Sequence, residues 1–496
     1  MSIRTARSAS SSRSTIPGCP TGSIPPAIPP ASSRGAGSAA KGRPCPRRRR
    51  SSWTRFAASC RPIRRPYRRS SAIRSCASGA NGFSSTGCGE DPVLGVETRF
   101  PAPDRFSGAS DRLHELAEEQ IGSADFGETD YLPGLRVLLE SMDYDPRFTE
   151  AGRTIAWGAL LTTLCGRGMA AQQLKRHADA AREPVARPVI ITGLHRTGTT
   201  ALHKLLSVDP QFQGLQSWIT SAPLPRPPRD QWEAFPAYQE VKRQLEARFA
   251  GSPDLRAAHD MAAEEVDECG GILFHGFVSL VWSSAWSAQS YDAWRQTQDV
   301  RPSYRYLRSV LQLIGSTAQD RRWLLKHPPH IDNLDVVFET FPDACVIQTH
   351  RDPAKAIPSL CSLVMANHEL METGRKDQRA RLMGPWLTGW AARALRRAEP
   401  VRQAHSEQVL DVLHSDFHAQ PMAVVKRIYS FLGLELSPEV EAAMEDRVAA
   451  KPEYRHGAHR YSADDFGLSE PEIREQFSGY MDRFDLWPQP TGAAAP

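Results

Sequence analysis

Residues 188–206 read "PVIITGLHRTGTTALHKLL", and they contain the clearest structural signal of this chain. Their apolar, β-branched start predicts a strand, Gly193 and Gly198 bracket a tight turn, and the amphipathic pattern that follows predicts a helix. Successive backbone N–H groups in such a turn point at one anion, and the helix adds the positive end of its dipole. The sequence therefore predicts an anion-binding strand–turn–helix unit.

The turn also carries side chains that suit phosphate or sulfate oxygens. Arg196 offers a planar fork of donors, and Thr199 and Thr200 offer hydroxyl groups. The two glycines have the spacing of the ATP-binding P-loop, but Thr199 stands where that loop has its lysine. A P-loop nucleotide kinase is therefore the less favoured alternative. An ordinary glycine-rich turn is disfavoured because the strand, the arginine and the threonines occur together.

Charge is distributed unevenly along the 496 residues. Residues 1–89 contain 17 of the 61 Lys and Arg but no Asp or Glu. The remaining residues therefore include 44 basic and 56 acidic residues and have a net charge of −12. An acidic folded part argues against non-specific nucleic-acid binding. The four cysteines beyond residue 90 are far apart, which is typical of buried thiols in a reducing compartment and predicts a cytoplasmic protein. No stretch has the length and apolar character of a transmembrane helix.

Residues 1–90 are rich in Ser, Arg, Pro and Gly and show no hydrophobic period. Such a segment cannot bury enough apolar surface to offset its ordering entropy, so we predict that it is disordered. A transit peptide and a nucleic-acid-binding arm are alternatives, but translated upstream sequence from a wrongly assigned start codon explains the composition best. We expect the chemistry-bearing motifs to belong to one domain over residues 108–487.

Short apolar strands alternate with helical patterns in that domain. Besides the first strand, strands are predicted at 322–326, 344–350 and 408–414. The helical patterns lie at 111–121, 132–142, 150–168, 229–249, 260–288, 303–316, 330–341, 353–371, 378–399 and 420–432. This alternation predicts an α/β fold of three layers, in which a central parallel sheet is covered by helices on both faces and helical additions precede it.

Two further clusters stand at the ends of predicted strands. In "HRDPAKAIPSL" (350–360), Arg351 follows a strand and Ser359 lies eight residues later in the next helix; in "WLLKHPPH" (323–330), Lys326 ends another strand. Ligands of open α/β sheets bind at the carboxyl ends of the strands, so both clusters are expected beside the anion-binding turn. A zinc site at His327 and His330 is disfavoured because no third ligand has a recognisable spacing.

The chain resembles the sulfotransferases that use 3′-phosphoadenosine 5′-phosphosulfate (PAPS). The resemblance is carried by "GLHRTGTT" (193–200) and by the spacing of Arg351 and Ser359. More narrowly, the chain is similar to the bacterial branch of these enzymes with a "PRTGTT" loop, although His195 replaces the proline. The resemblance covers roughly residues 108–487. It implies a P-loop-like fold, PAPS as co-substrate, no metal, and transfer of the sulfuryl group to a hydroxyl or amine of a small molecule, lipid or glycan.

The resemblance also implies roles for individual residues. Arg351 and Ser359 would hold the 3′-phosphate, and Lys326 would stabilise charge on the oxygen that bridges phosphorus and sulfur, or help to activate the acceptor. The 5′-phosphosulfate would be held by His195, Arg196, Thr197, Gly198, Thr199 and Thr200, with Arg196 close to the transferred group. His459, Arg460 and Tyr461 lie in a C-terminal segment that resembles the bacterial branch, which implies closure over the nucleotide.

The sequence does not identify the catalytic base. Related enzymes carry a glutamate about twenty residues past the loop, where this chain has Ile219. The remaining candidates are His330 and a cluster matched by His259, Glu264 and Glu268, from which we select His330 and Glu264. The alternative roles are a helix cap for His330 and a solvated helix face for the carboxylates.

Two features of the sequence leave alternative interpretations open. The missing glutamate favours a non-catalytic nucleotide-binding relative, which the intact Arg196, Lys326, Arg351 and Ser359 oppose. The aromatic residues of the segment 270–306 predict either an apolar acceptor pocket or a helical core.

Overall fold

The computed structural model describes residues 100–251, 261–450 and 461–488. The predictions for residues 1–90, His259, His459 and Arg460 lie outside these ranges, so the division of the chain at residues 90 and 108 stays a prediction. Among the described residues, no helix is long and apolar enough to cross a membrane.

Seven strands are described. They are β1 Val189–Gly193, β2 Phe212–Gln213, β3 Leu215–Gln216, β4 Val266–Asp267, β5 Arg322–Lys326, β6 Cys345–His350 and β7 Val409–Leu413. Five of them form a parallel sheet in the order β2–β5–β1–β6–β7, whereas β3 and β4 form a separate antiparallel pair. Ile191 lies opposite Lys326, and Gly193 lies opposite Thr349. The carboxyl ends of β5, β1 and β6 are therefore level along one edge.

Eighteen α-helices are described. In chain order they are α1 Ser110–Ile121, α2 Leu132–Tyr144, α3 Glu150–Arg176, α4 Thr199–Leu206, α5 Ser217–Ser221, α6 Pro236–Gly251, α7 Gly270–Leu273, α8 Leu280–Ala285, α9 Gln289–Arg295, α10 Arg301–Gly315, α11 Leu334–Thr340, α12 Pro353–Met371, α13 Lys376–Ala404, α14 His414–Ala419, α15 Pro421–Leu432, α16 Pro438–Ala450, α17 Glu470–Gln476 and α18 Ser478–Arg483.

Both faces of the sheet are buried, and alternate residues of each strand serve opposite faces. Ile190, Leu325 and Val346 pack with apolar residues of α10 to α13. Ile191 and Leu324 pack on the other side with α4, α15 and α16. Each fully buried aliphatic side chain contributes about 1.5–3 kcal/mol, so this double coverage holds the strand ends in place. The predicted three-layer α/β fold with a central parallel sheet is confirmed.

The helices α1 to α3 build a second core. Phe277, Trp282, Trp286 and Tyr291 are buried in it beside Leu135, Trp157 and other residues of these helices. Of the two interpretations of the aromatic segment, this part of it serves as a helical core.

The predicted helix over 260–288 is wrong. Residues 266–267 form β4, and the apolar stretch that follows is divided into α7, a single 3-10 turn at Phe274–Gly276, and α8. Phe277 ends the turn with a φ of 51°, in the left-handed region. The amide of Cys269 donates to the carbonyl of Lys326 at 3.0 Å, so the segment between β4 and α7 is attached to the end of β5. This hydrogen bond between distant residues cannot be predicted from the local hydrophobic period.

Candidate active site

The loop between β1 and α4 is shaped by three residues with positive φ. Gly193 has a φ of 142°, Arg196 of 66° and Gly198 of 92°. Thr197 Oγ1 donates to the Leu194 carbonyl at 2.6 Å and lies 2.6 Å from Thr349 Oγ1, which attaches the loop to β6. Helix α4 starts at Thr199, and no side chain caps its N-terminus. The first N–H groups of an α-helix have no acceptor within the helix, so those of α4 are available to a ligand. This is the backbone geometry that the sequence predicts for an anion-binding loop, and anion binding by it stays a prediction.

The structure brings the second sequence cluster against this loop. Arg196 Nε donates to Ser359 Oγ at 3.1 Å, and Arg351 Nη1 donates to the Arg196 carbonyl at 2.8 Å. Burial lowers the pKa of Arg196, whereas nearby Tyr461 raises it. The Arg351 guanidinium thus lies against the backbone of Arg196, and the Arg196 side chain reaches Ser359, at one edge of the sheet.

Lys326 brings an ammonium group to the first turn of α4 from the neighbouring strand. Its Nζ donates to Thr200 Oγ1 at 3.2 Å and to Glu268 Oε1 at 2.6 Å, and the residue is only 1% exposed. The lysine that the loop itself lacks is therefore replaced in space by one from β5. The local loop sequence does not contain this information, although the end of a strand on the same edge is the signal that predicts it.

Glu268 joins this lysine to a histidine. Its second oxygen, Oε2, lies 2.7 Å from His327 Nδ1, and its side chain is 27% exposed. Burial raises the pKa of Glu268, but Lys326 and His327 outweigh that effect and hold the pKa well below the ordinary value. Glu268 is thus an ionised carboxylate that contacts both groups.

Glu264, the selected carboxylate, lies elsewhere. It is exposed, and its charge adds to burial in raising the pKa of Tyr238. Ile219, at the position where related enzymes carry a glutamate, is fully buried in the apolar core. The sequence offers Glu268 only as one of three matched residues and His327 only as half of a disfavoured zinc pair. The contacts of Glu268 with Lys326 and with His327 distinguish these two residues.

His330 lies in the wall of this site. It belongs to the 3-10 segment Pro328–Asn333, and Asn333 precedes α11, so His330 does not cap that helix. His330 Nδ1 lies 2.7 Å from the Tyr304 hydroxyl. Burial first, and then His327, hold the pKa of His330 well below its ordinary value.

Three imidazole nitrogens near Glu268 are buried with no hydrogen-bond partner among the described residues: His330 Nε2, His195 Nδ1 and His203 Nδ1. The His195 ring lies 5.2 Å from Trp390, and the His330 ring lies 5.2 Å from His327. Burial lowers the pKa of His195 to about 4. Within the described ranges, no group of three or more His, Cys, Asp or Glu has the arrangement of a metal site.

Comparisons with known proteins identify the family. Residues 188–438 match the sequence model described as the sulfotransferase family. The crystal structure of sulfotransferase STF1 from Mycobacterium tuberculosis H37Rv is 34% identical, with a TM-score of 0.67 over 76% of this chain and 100% of that chain. Sulfotransferase STF9 from Mycobacterium avium is 26% identical, with a TM-score of 0.70 over 76% and 97% of the two chains. The chain belongs to the sulfotransferase family.

A curated relative is more distant. It is the omega-hydroxy-beta-dihydromenaquinone-9 sulfotransferase Stf3 of Mycobacterium tuberculosis (strain CDC 1551 / Oshkosh), 23% identical over 252 residues. The matched region covers 50% of this chain and 63% of that relative, so the chain spans less than two thirds of its length.

Gly193 allows a test of the loop geometry. A Cβ at this position would lie 2.5 Å from the Thr349 carbonyl oxygen on the paired strand. We expect Gly193→Ala to lower the free energy of unfolding by about 1–3 kcal/mol through overpacking, beyond the cost of its positive φ. Chemical denaturation measures this. Gly433→Ala is the matched control because Gly433 has a φ of 64° and nothing within 4 Å of the added Cβ. Equal losses in both variants would contradict the steric explanation.

Proposed function

We propose that this protein is a sulfotransferase that moves the sulfuryl group of PAPS to a hydroxyl group of an acceptor. The observation that carries the proposal is the continuous hydrogen-bonded set Ser359–Arg196–Arg351, with Lys326 bonded to Thr200 beside it. It concentrates three cations and a helix N-terminus at one edge of the sheet. PAPS carries anions at both ends, and this edge offers cations to each of them.

Two groups of residues suit the two anionic ends of PAPS. The N–H groups at the start of α4, with Arg196 and Lys326, suit the phosphosulfate, while Arg351 and Ser359 suit the 3′-phosphate. A P-loop kinase is not favoured, because the chain belongs to the sulfotransferase family.

In the transfer step, the protein stabilises charge that moves from sulfur to the leaving phosphate. Arg196 would interact with the equatorial sulfuryl oxygens. Lys326 would interact with the bridging oxygen, where the electron pair of the breaking bond collects. Both groups are already positioned, Arg196 by Ser359 and Lys326 by Thr200 and Glu268, so little reorganisation is needed during the reaction.

The acceptor we propose is a small molecule or lipid with a hydroxyl group. Stf3 is named for a hydroxylated menaquinone derivative, and the likeness of this chain to Stf3 supports this class of acceptor. We also propose a cytoplasmic location, because Cys165, Cys269, Cys345 and Cys361 are buried and unpaired.

The proposal is tested by binding and by transfer. We expect 3′,5′-adenosine bisphosphate to stabilise the protein by about 2.7 kcal/mol at a hundred times its dissociation constant, and ATP with magnesium to stabilise it less. ³⁵S-labelled PAPS is then incubated with phenol, octan-1-ol, hydroquinone, glucose and benzylamine. Labelled sulfate ester supports the proposal. Binding without transfer or PAPS hydrolysis would indicate a non-catalytic relative, and preferential stabilisation by ATP would indicate a kinase.

Arg351 should determine donor affinity. A charge-assisted hydrogen bond contributes about 1.5–3 kcal/mol, so we expect Arg351→Ala to weaken binding of 3′,5′-adenosine bisphosphate about 10- to 100-fold, with a smaller effect on kcat. Isothermal titration measures the affinity. Arg397→Ala is the control, because Arg397 pairs with Asp332 at 3.2 Å on the exposed surface of α13. Unchanged nucleotide affinity with a raised acceptor KM would place Arg351 on the acceptor side instead.

A further inference from the structure

We propose that His327, oriented by Glu268, is the base that takes the proton of the acceptor hydroxyl. The inference rests on the proposed function, and it replaces both His330 and Glu264 as the selected base. It starts from one geometric fact: Glu268 contacts His327 with one oxygen and Lys326 with the other.

The carboxylate decides which imidazole nitrogen accepts a proton. Glu268 Oε2 lies 2.7 Å from His327 Nδ1. An ionised carboxylate only accepts hydrogen bonds, so Nδ1 must carry the proton and the lone pair lies on Nε2. Among the described residues, no hydrogen bond occupies Nε2. The same relation of carboxylate, imidazole and substrate hydroxyl activates nucleophiles in other enzymes.

The backbone holds His327 beside the donor loop. Its amide donates to the Ile191 carbonyl at 3.2 Å, and its carbonyl accepts from Thr192 Oγ1 at 3.3 Å. Both partners belong to β1, which leads directly into the anion cradle. The imidazole is 3% exposed, so a proton transfer there would be shielded from bulk water.

The charged and titratable groups around His327 come from four elements. Lys326 lies on β5, Glu268 precedes α7, His330 lies in the 3-10 segment, and His195 lies in the loop after β1. Glu268 is the anion of this set. It stabilises an imidazolium at His327, whereas His330 has Tyr304 and no carboxylate at its Nδ1.

The reaction balances with this assignment. A lone pair of the acceptor oxygen forms the new bond to sulfur, and the bond between sulfur and the bridging oxygen breaks. Its electron pair passes to the 5′-phosphate of the leaving 3′,5′-adenosine bisphosphate, next to Lys326. The acceptor proton moves to His327 Nε2 and is afterwards released to solvent. Glu268 then lies between two cations, so it couples the positions of base and ammonium.

The test compares pH–rate profiles. We use His327→Asn, Glu268→Gln and His330→Asn, with the fastest acceptor of the panel above, or with water as acceptor in PAPS hydrolysis. We expect His327→Asn to lower kcat about 100- to 10,000-fold and to abolish the acidic limb of the profile. Glu268→Gln should lower kcat about 10- to 100-fold and displace that limb. His330→Asn should retain it.

The controls separate the possible failures. Absence of both transfer and hydrolysis in the unmodified protein would overturn the proposed function. An active protein whose His327→Asn variant keeps its acidic limb would overturn only the present inference. Loss of binding of 3′,5′-adenosine bisphosphate by His327→Asn would show a structural role and also overturn it. If that variant does not fold, Glu268→Gln decides, because an unchanged acidic limb there contradicts the assignment.

Discussion

Lys326→Met should lower turnover about 100- to 1,000-fold and leave the affinity for 3′,5′-adenosine bisphosphate nearly unchanged. The ammonium contacts Thr200 in the first turn of α4. In the proposed function, the charge beside it changes only as the bond between sulfur and oxygen breaks. An interaction that strengthens in the transition state lowers the barrier without tightening ground-state binding. Arg196→Lys should cause a loss in the same direction, because lysine keeps the charge but not the planar fork.

Methionine is chosen because it keeps the apolar packing of the buried lysine stem. Glu268 retains His327 as a partner in this variant. Lys204→Ala is the control, since Lys204 also pairs with a glutamate, Glu265, at 2.5 Å but belongs to the helix α4. Single-turnover rates with saturating donor, together with calorimetric affinities, measure the two effects. A loss of affinity as large as the loss of rate would contradict a transition-state role.

The second large effect concerns acid stability. His203 and His275 are fully buried, and burial lowers the pKa of each to about 3; for His275, Arg167 adds to this. Unfolded histidine has a pKa near 6.5, so between these values the unfolded state binds more protons than the folded state. The stabilisation is therefore complete above about pH 6.5 and is lost as the pH falls. We expect the melting temperature to fall steeply from pH 6.5 to pH 4.5.

His275 allows this expectation to be measured. Each buried histidine of this kind costs about 1.4 kcal/mol for each pH unit below 6.5, or roughly 2 kcal/mol at pH 5. His275→Gln, which can still bond the Tyr306 hydroxyl, should show a shallower loss by that amount. His177→Gln, at the partly exposed end of α3, is the control. Parallel curves for His275→Gln and the unmodified protein would contradict the assignment of this histidine as a buried neutral group.

Much of the cradle could be predicted because its information is local. The strand, the two glycines and the start of α4 lie within one short stretch, and the φ angles of Gly193 and Gly198 are those that favour glycine. The parallel sheet followed from the repeated alternation of strands and helices. The nearness of Arg196 to Ser359 and Arg351 followed from the rule that strands of a parallel sheet end at one edge. The arrangement of these three residues is a property of the fold class.

The helix expected over 260–288 shows where local patterns fail. Apolar residues at helical spacing also suit a chain that turns repeatedly and buries both sides. Here the apolar part serves two cores, with Cys269 in one and Phe277 in the other. When a segment packs against two cores, its own hydrophobic period does not show which residues each core buries.

The strand–turn–helix loop, the parallel sheet and the edge at which the candidate ligand groups lie could be predicted from the sequence alone, because they depend on hydrophobic periods and on neighbours in the chain. Which acid contacts Lys326 depends on the packing of distant segments. Glu264 and Glu268 stand four residues apart with similar surroundings in the sequence. The Cys269 amide donates to the Lys326 carbonyl, and the adjacent Glu268 contacts the Lys326 ammonium, while Glu264 is exposed. That bond joins residues far apart in the chain, so the choice exists only once the sheet and the segment before α7 have packed together.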